Sequence, residues 1–190
     1  MVIPLVVVLF MGVLELALAL QASLSINRAS QNGAHVAATA GNIQGADCLI
    51  LRGIERDVAT PNQAANIIEV IVERTALAGN QSYAQQKWSR TGTTNCTLPD
   101  SSVVALPYTL AAAGATPAYP ESQRCTVLGG CPHMTPARST VDNIGVTVRY
   151  RHDWVTPLNG ALDLIAGDGN ATTGGWTFEQ RNIFRVEPTL

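Results

Sequence analysis

The side chains able to do chemistry in this chain are few and widely separated. Its three histidines, His35, His133 and His152, fall in three different segments, and no G-x-S-x-G elbow, P-loop or H-E-x-x-H motif accompanies them. His152 and Asp153 stand side by side in "VRYRHDWV" and could form an acid–base pair. Consecutive residues of a strand point to opposite faces, however, so the two cannot easily cooperate. "DLIAGDGNAT" offers Asp163, Asp168 and Asn170 as oxygen ligands, but it lacks the spacing of a calcium loop and its closing Glu, and reads as a polar turn. The sequence therefore points to no catalytic residue, no cofactor and no metal site.

The four cysteines, Cys48, Cys96, Cys125 and Cys131, have a different chemistry open to them. An even number of cysteines after an apolar segment suits an oxidising compartment and a disulfide framework. Cys125 and Cys131 bracket "TVLGG", a loop flexible enough to close locally, which would leave Cys48 to Cys96. Four cysteines allow three connectivities, so the spacing favours this pairing without deciding it. His133 lies close to Cys131, but no second ligand pair follows, and zinc is the weaker reading.

One further ionisable group stands out by its surroundings. Glu15 sits inside "MVIPLVVVLFMGVLELALAL", and no Lys or Arg precedes Arg28. Twenty residues of helix rise about 30 Å, the hydrocarbon thickness of a bilayer, so residues 1–21 read as a transmembrane segment. The competing reading is a signal peptide cut near Ala22. Against it, the chain opens without a basic residue and the helical pattern runs on past the cut. Arg28 alone would place the following side in the cytoplasm by the positive-inside rule, but long domains translocate regardless of such charges, and the cysteines argue for the outside. A carboxylate in lipid costs about 2.5–3.5 kcal/mol on insertion scales, so Glu15 should meet either a donor from a neighbouring subunit or, on a tilted helix, the polar interface.

Around these residues the elements are legible. Ala22, Ile26, Ala29, Gly33, Ala37 and Ala40 recur at helical spacing and form a small-residue stripe, with Arg28, Asn32 and His35 off it. Residues 22–42 thus continue the first helix, ending at Gly41, and the stripe should pack on the chain's own domain or, in part, on neighbouring subunits. A second helix is expected at "ADCLILRGIERDV", with Ala46, Leu49, Ile50, Gly53, Ile54 and Val58 inward and Pro61 beyond its end. Strands are expected in "ANIIEVIVERTA", "NIGVTVRYRHDWV" and "WTFEQRNIFRVEP", the last two as a long-looped hairpin whose alternation slips near Arg181. Thr91–Arg138 reads mostly as ordered loop, with one edge strand at "SSVVALPY". With 190 residues, a net charge of −2 and 14% charged residues, the chain is one domain plus one apolar segment, and nothing in it forms a basic face for nucleic acid.

"MVIPLVVVLFMGVLELALALQASLSINRASQNGAHVAA" resembles the signature segment of TadE-like proteins, minor pseudopilins of the tight-adherence (Tad) pilus. Pro4, Gly12, Glu15, Arg28, Ala29, Asn32, Gly33 and Ala34 carry the match, and "VTVRYRHDWVTPL" and "FRVEP" look like the last strands of such proteins. The resemblance implies a basic leader, a prepilin-peptidase site and a further Glu ahead of this run. None is present, so either Met1 is not the natural start or this copy is not processed.

It also implies an α+β, pilin-like fold, with a long N-terminal helix spanning the membrane in its first half and packed on a small antiparallel sheet, and residues 43–190 as an extracytoplasmic domain. The expected function is non-enzymatic: a minor pilin-like subunit supporting pilus biogenesis, secretion and surface adherence. Its expected partners are the membrane, other pilin-like subunits and the assembly machinery, with Pro4, Gly12 and Glu15 as membrane or assembly residues. The alternative is a membrane-anchored extracytoplasmic enzyme or ligand-binding domain with its site between Thr91 and Arg138.

Overall fold

Val2–Ala40 forms one uninterrupted helix, α1, in a computed structural model that describes residues 2–58, 64–76, 81–112, 114, 116–126, 141–155 and 175–186. No proline follows Pro4 until well beyond the helix, and aliphatic and alanine residues carry it past its interior glycines. It stops where the sequence places a residue at ease with positive φ: Gly41 has φ +57°, and its N–H donates to the Ala37 carbonyl at 3.1 Å. Over its 39 residues α1 is about 58 Å long.

The side of α1 that is buried begins at Glu15 and continues through Ala19, Ala22, Ile26, Ala29, Gly33, Ala37 and Ala40. Steps of three and four keep these residues on one face. Their small size brings the backbone close to β6 (Asn143–Asp153) and β7 (Gly175–Arg185). The approach is tightest at Gly33, where an added Cβ would lie 3.0 Å from Ile54 and 3.3 Å from Val146. Ser30 bridges helix and sheet, its hydroxyl donating to the Val146 carbonyl at 2.7 Å. Burial against the domain therefore starts inside the stretch 1–21, below the point at which the sequence reading ends the span. Val6 to Phe10, Val13 and Leu14 are exposed, as are Leu16, Leu20 and Leu24 on the opposite side from the stripe.

The second helix, α2 (Ala46–Val58), lies against α1 and buries Ala46, Ile50, Leu51, Ile54 and Val58. Both helices cover one face of a five-stranded antiparallel sheet. Its order is β5-β2-β1-β6-β7, where β1 is Ile67–Thr75, β2 Ser82–Ser89 and β5 Thr109–Ala111. A separate ribbon pairs β3 (Thr94–Thr97) with β4 (Val103–Leu106). The architecture is α+β, as the sequence pattern requires, and β6–β7 is the expected hairpin. Its pairing runs unbroken from Asn143↔Arg185 to Asp153↔Gly175, while burial along β7 does not alternate cleanly, so the apolar pattern loses its period without a break in register.

The sequence reading differs from the structure between β1 and β6. It has no counterpart to β2, and it reads β3 and β5 as loop, whereas the edge strand expected at "SSVVALPY" is β4, paired with β3. On the inner face of β2 only Ala84 and Trp88 are apolar and buried, with Gln86 between them, too sparse a pattern to announce a strand. Gln86 is accommodated because its Nε2 donates to Asp47 on α2 at 2.9 Å.

Polar ties fix the loops to the helices. The Glu121 carboxylate accepts from the N–H groups of Gly45 (2.9 Å) and Asp47 (3.2 Å), satisfying donors left open at the start of α2. Asp47 also pairs with the fully buried Arg124, whose guanidinium lies over the Tyr119 ring at 5.4 Å. A disulfide joins Cys48 on α2 to Cys96 on β3 across 48 residues of chain. In the chain-entropy description, closing a loop of that size contributes about 4 kcal/mol.

Gly33 offers a graded test of the helix–sheet approach. Gly33→Ala should change stability little, since about 1 kcal/mol gained in helix propensity offsets crowding that the end of Ile54 can relieve. Gly33→Val should cost about 1–3 kcal/mol by pushing α1 off the sheet. Chemical denaturation of the full chain in detergent checks both. Equal stability of the valine variant and wild type would mean that the helix does not pack this closely.

Candidate functional site

The alternation of β6 decides where its polar residues go. Ile144, Val146, Val148 and Tyr150 are buried under the helices, and His152 follows them on the same face. His152 thereby meets Glu15. Nε2 lies 3.1 Å from Glu15 Oε1, a geometry suited to an imidazole N–H donating to a carboxylate. The backbone N–H of Val155 donates to both carboxylate oxygens, at 3.1 and 3.3 Å. Glu15 is 1% exposed and His152 7% exposed, so this is a buried tie between positions 137 residues apart. Burial of a carboxylate is tolerable only where donors replace water, and here a ring and a backbone N–H do so.

An aromatic cluster surrounds the tie. The His152 ring stands edge-on to Trp154 at 6.1 Å and lies 6.4 Å from Phe178. Trp176 bridges the two, 6.1 Å from Trp154 and 5.6 Å from Phe178. Trp176 is partly exposed and Val155 strongly so, and both lie at the end of the β6–β7 hairpin from which the apolar end of α1 emerges.

Asp153 points away from His152, as strand geometry demands. It accepts from Arg151 Nε at 2.9 Å and from Asn66 Nδ2 at 3.1 Å, so the adjacent pair is not a catalytic dyad. His35 packs edge-on against Phe184 at 6.0 Å. Gly12 lies on α1 where an added Cβ would meet nothing within 4 Å. Pro4 lies within α1, with its side chain outside the described residues. Cys125 is disulfide-bonded, while Cys131, His133, Asp163, Asp168 and Asn170 lie outside the described residues. Among the described residues, no three His, Cys, Asp or Glu side chains gather as a metal site.

Other charged groups among the described residues also pair within the chain. Glu55 pairs with Arg90 and accepts from the Tyr108 hydroxyl at 2.7 Å. Burial, with Glu55 alongside, pushes the Tyr108 phenol well above its usual range and keeps it a donor. On the sheet face away from the helices, Glu73 pairs with Arg181, and Arg149 bonds Glu69 at 2.8 Å. The hydrogen bond to Glu69 raises the Arg149 pKa further and keeps the guanidinium charged.

The helix that carries this tie also carries the decisive likeness: residues 1–35 match the family model described as TadE-like protein. The first 35 residues are TadE-like. No curated protein and no solved structure matches the chain. The TadE-like segment includes Glu15 and most of the buried stripe, ending at His35 within α1 and short of the sheet that α1 packs on.

Sequence reasoning missed His152 as the partner of Glu15, looking for it in another subunit or in solvent. The available signal was parity, because His152 extends an otherwise apolar face of β6 and needs a polar partner there.

Replacing Glu15 tests the tie. Glu15→Leu leaves the Val155 N–H and the His152 ring without their acceptor and should cost about 1–3 kcal/mol. Glu15→Gln keeps a carbonyl acceptor and should cost less, although a neutral hydrogen bond is roughly half as strong as a charge-assisted one. Denaturation midpoints of the full-length variants in detergent should rank wild type, Gln, Leu. A leucine variant as stable as wild type would remove the tie from the account.

Proposed function

We propose that the protein is a minor pilin-like subunit of a Tad-type pilus or secretion assembly. It is held in the cell membrane by the first part of α1, with the domain of residues 43–190 outside, and supports pilus biogenesis and surface adherence without catalysis. The observation that carries this reading is the TadE-like match on a helix whose apolar end extends beyond the domain that clamps its remainder. By length and composition this is a helix able to cross a membrane. The disulfide between Cys48 and Cys96 supports an oxidising location for the domain.

Partners in this reading are other pilin-like subunits, met along the part of α1 that its own domain leaves open. Leu16, Leu20 and Leu24 form an exposed row at spacings of four, and Pro4 and Gly12 lie further towards the apolar end. Gly12 adds no side chain to keep a neighbouring backbone away. In the rival reading, a ligand or active site lies between Thr91 and Arg138. In the described part of that segment, Glu121 and Arg124 are engaged by α2, which favours a structural role for them.

A strain lacking the gene, complemented with wild-type chain or with a photo-crosslinking amino acid at Leu20, tests the proposal. Deletion should abolish piliation and adherence, and irradiation should join the protein to another subunit of the assembly. A reporter fused after Leu190 should be active only outside the cytoplasm. Normal pili in the deletion strain, or a reporter active only in the cytoplasm, would overturn the reading.

A further inference from the structure

We propose that the end of the β6–β7 hairpin beside Glu15 is a lipid-binding foot, with Trp154, Trp176 and Val155 resting in the headgroup and upper acyl region of a phospholipid bilayer. The inference rests on the membrane anchoring proposed above and adds a second contact with the membrane, made by the domain itself. Three observations converge on it. The cluster of Trp154, Trp176 and Phe178 gathers at this one end of the sheet, with Trp176 partly exposed and Val155 69% exposed. That end is tied to Glu15, the position on α1 where the exposed apolar stretch gives way to the buried stripe. Finally, α1 remains apolar on its outer side well past Glu15, at Leu16, Leu20 and Leu24, beside the foot and above it.

Helix length makes these observations one argument. From Leu16 to Leu24 the exposed apolar side of α1 rises about 12 Å past the level of Glu15. A bilayer that covers this side of α1 also reaches the hairpin end tied to Glu15. Trp176 suits that position, because its exposed indole ring combines an apolar body with a polar N–H, and such rings collect where water gives way to acyl chains. Trp154 packs behind it with its own N–H buried. Glu15 and His152 then lie in the upper acyl region, screened from lipid by the aromatic cluster and joined to each other.

The three tryptophans of the chain provide their own control. Trp88 is buried on β2 opposite Val70, which pairs with Val148, about 13 Å along β6 from His152. Full-length variants that keep a single tryptophan, the others replaced by phenylalanine, would be reconstituted in vesicles of phosphatidylethanolamine and phosphatidylglycerol. The acyl chains would carry bromine either near the headgroup or near the terminal methyl. Trp154 and Trp176 should lose most of their emission to the shallow bromines and less to the deep ones, with Trp88 little affected by either. Should a variant not fold, fluorotryptophan incorporated in the wild-type chain, with relaxation by a headgroup spin label, reads the same depths without mutation. Quenching of Trp154 and Trp176 no greater than that of Trp88, in protein that floats with the vesicles and resists carbonate extraction, would overturn the foot while leaving the anchor intact. Protein that does not float would overturn the anchor and the foot with it.

Discussion

The described part of this molecule is arranged around one helix whose two ends differ in what they expose. From Val6 to Leu14 α1 offers apolar side chains outward, whereas from Glu15 onward one side of it is a row of small residues sunk into a core. A helix can bury its backbone so closely only where side chains are absent or short, and Gly33 against Ile54 and Val146 is the extreme case. The sheet supplies the complement. The inner face of β6 is apolar from Ile144 to Tyr150 and turns polar at His152, level with the one carboxylate on the buried side of α1. A carboxylate that would be expensive on an unaccompanied apolar helix thus becomes a fixed point of register between helix and sheet.

Much of the fold was legible because periodicity recorded it. The stripe from Ala22 to Ala40, the stop at Gly41, the β-branched run of β1 and the alternation of β6 each repeat a simple rule over enough residues to be read. What escaped lacked that repetition. β3 and β5 are four and three residues long, and β2 turns a glutamine inward that only Asp47, on a helix distant in sequence, makes acceptable. The candidate site escaped for the same reason. Glu15 was conspicuous, but its partner is defined by which residue of β6 lies opposite, a tertiary fact that no local pattern contains.

The TadE-like match falls on the exposed apolar end of α1 and on most of its small-residue stripe. The sheet and the polar ties around Asp47, Arg124 and Glu121 are this chain's own means of holding the stripe covered. That α2 and β3 are joined covalently through Cys48 and Cys96 gives the covering layer rigidity independent of its small core.

The order in which the chain is made gives the Glu15 contact a further meaning. Its two ends are 137 residues apart, and synthesis runs from the amino end, so α1 exists long before His152 and Val155 do. During that interval Glu15 is an apolar helix's lone carboxylate without the donors that later enclose it. The finished contact closes only after nearly the whole domain has been made and β6 has taken its place in the sheet. The state of a single side chain near the start of the protein therefore reports whether its far end has folded.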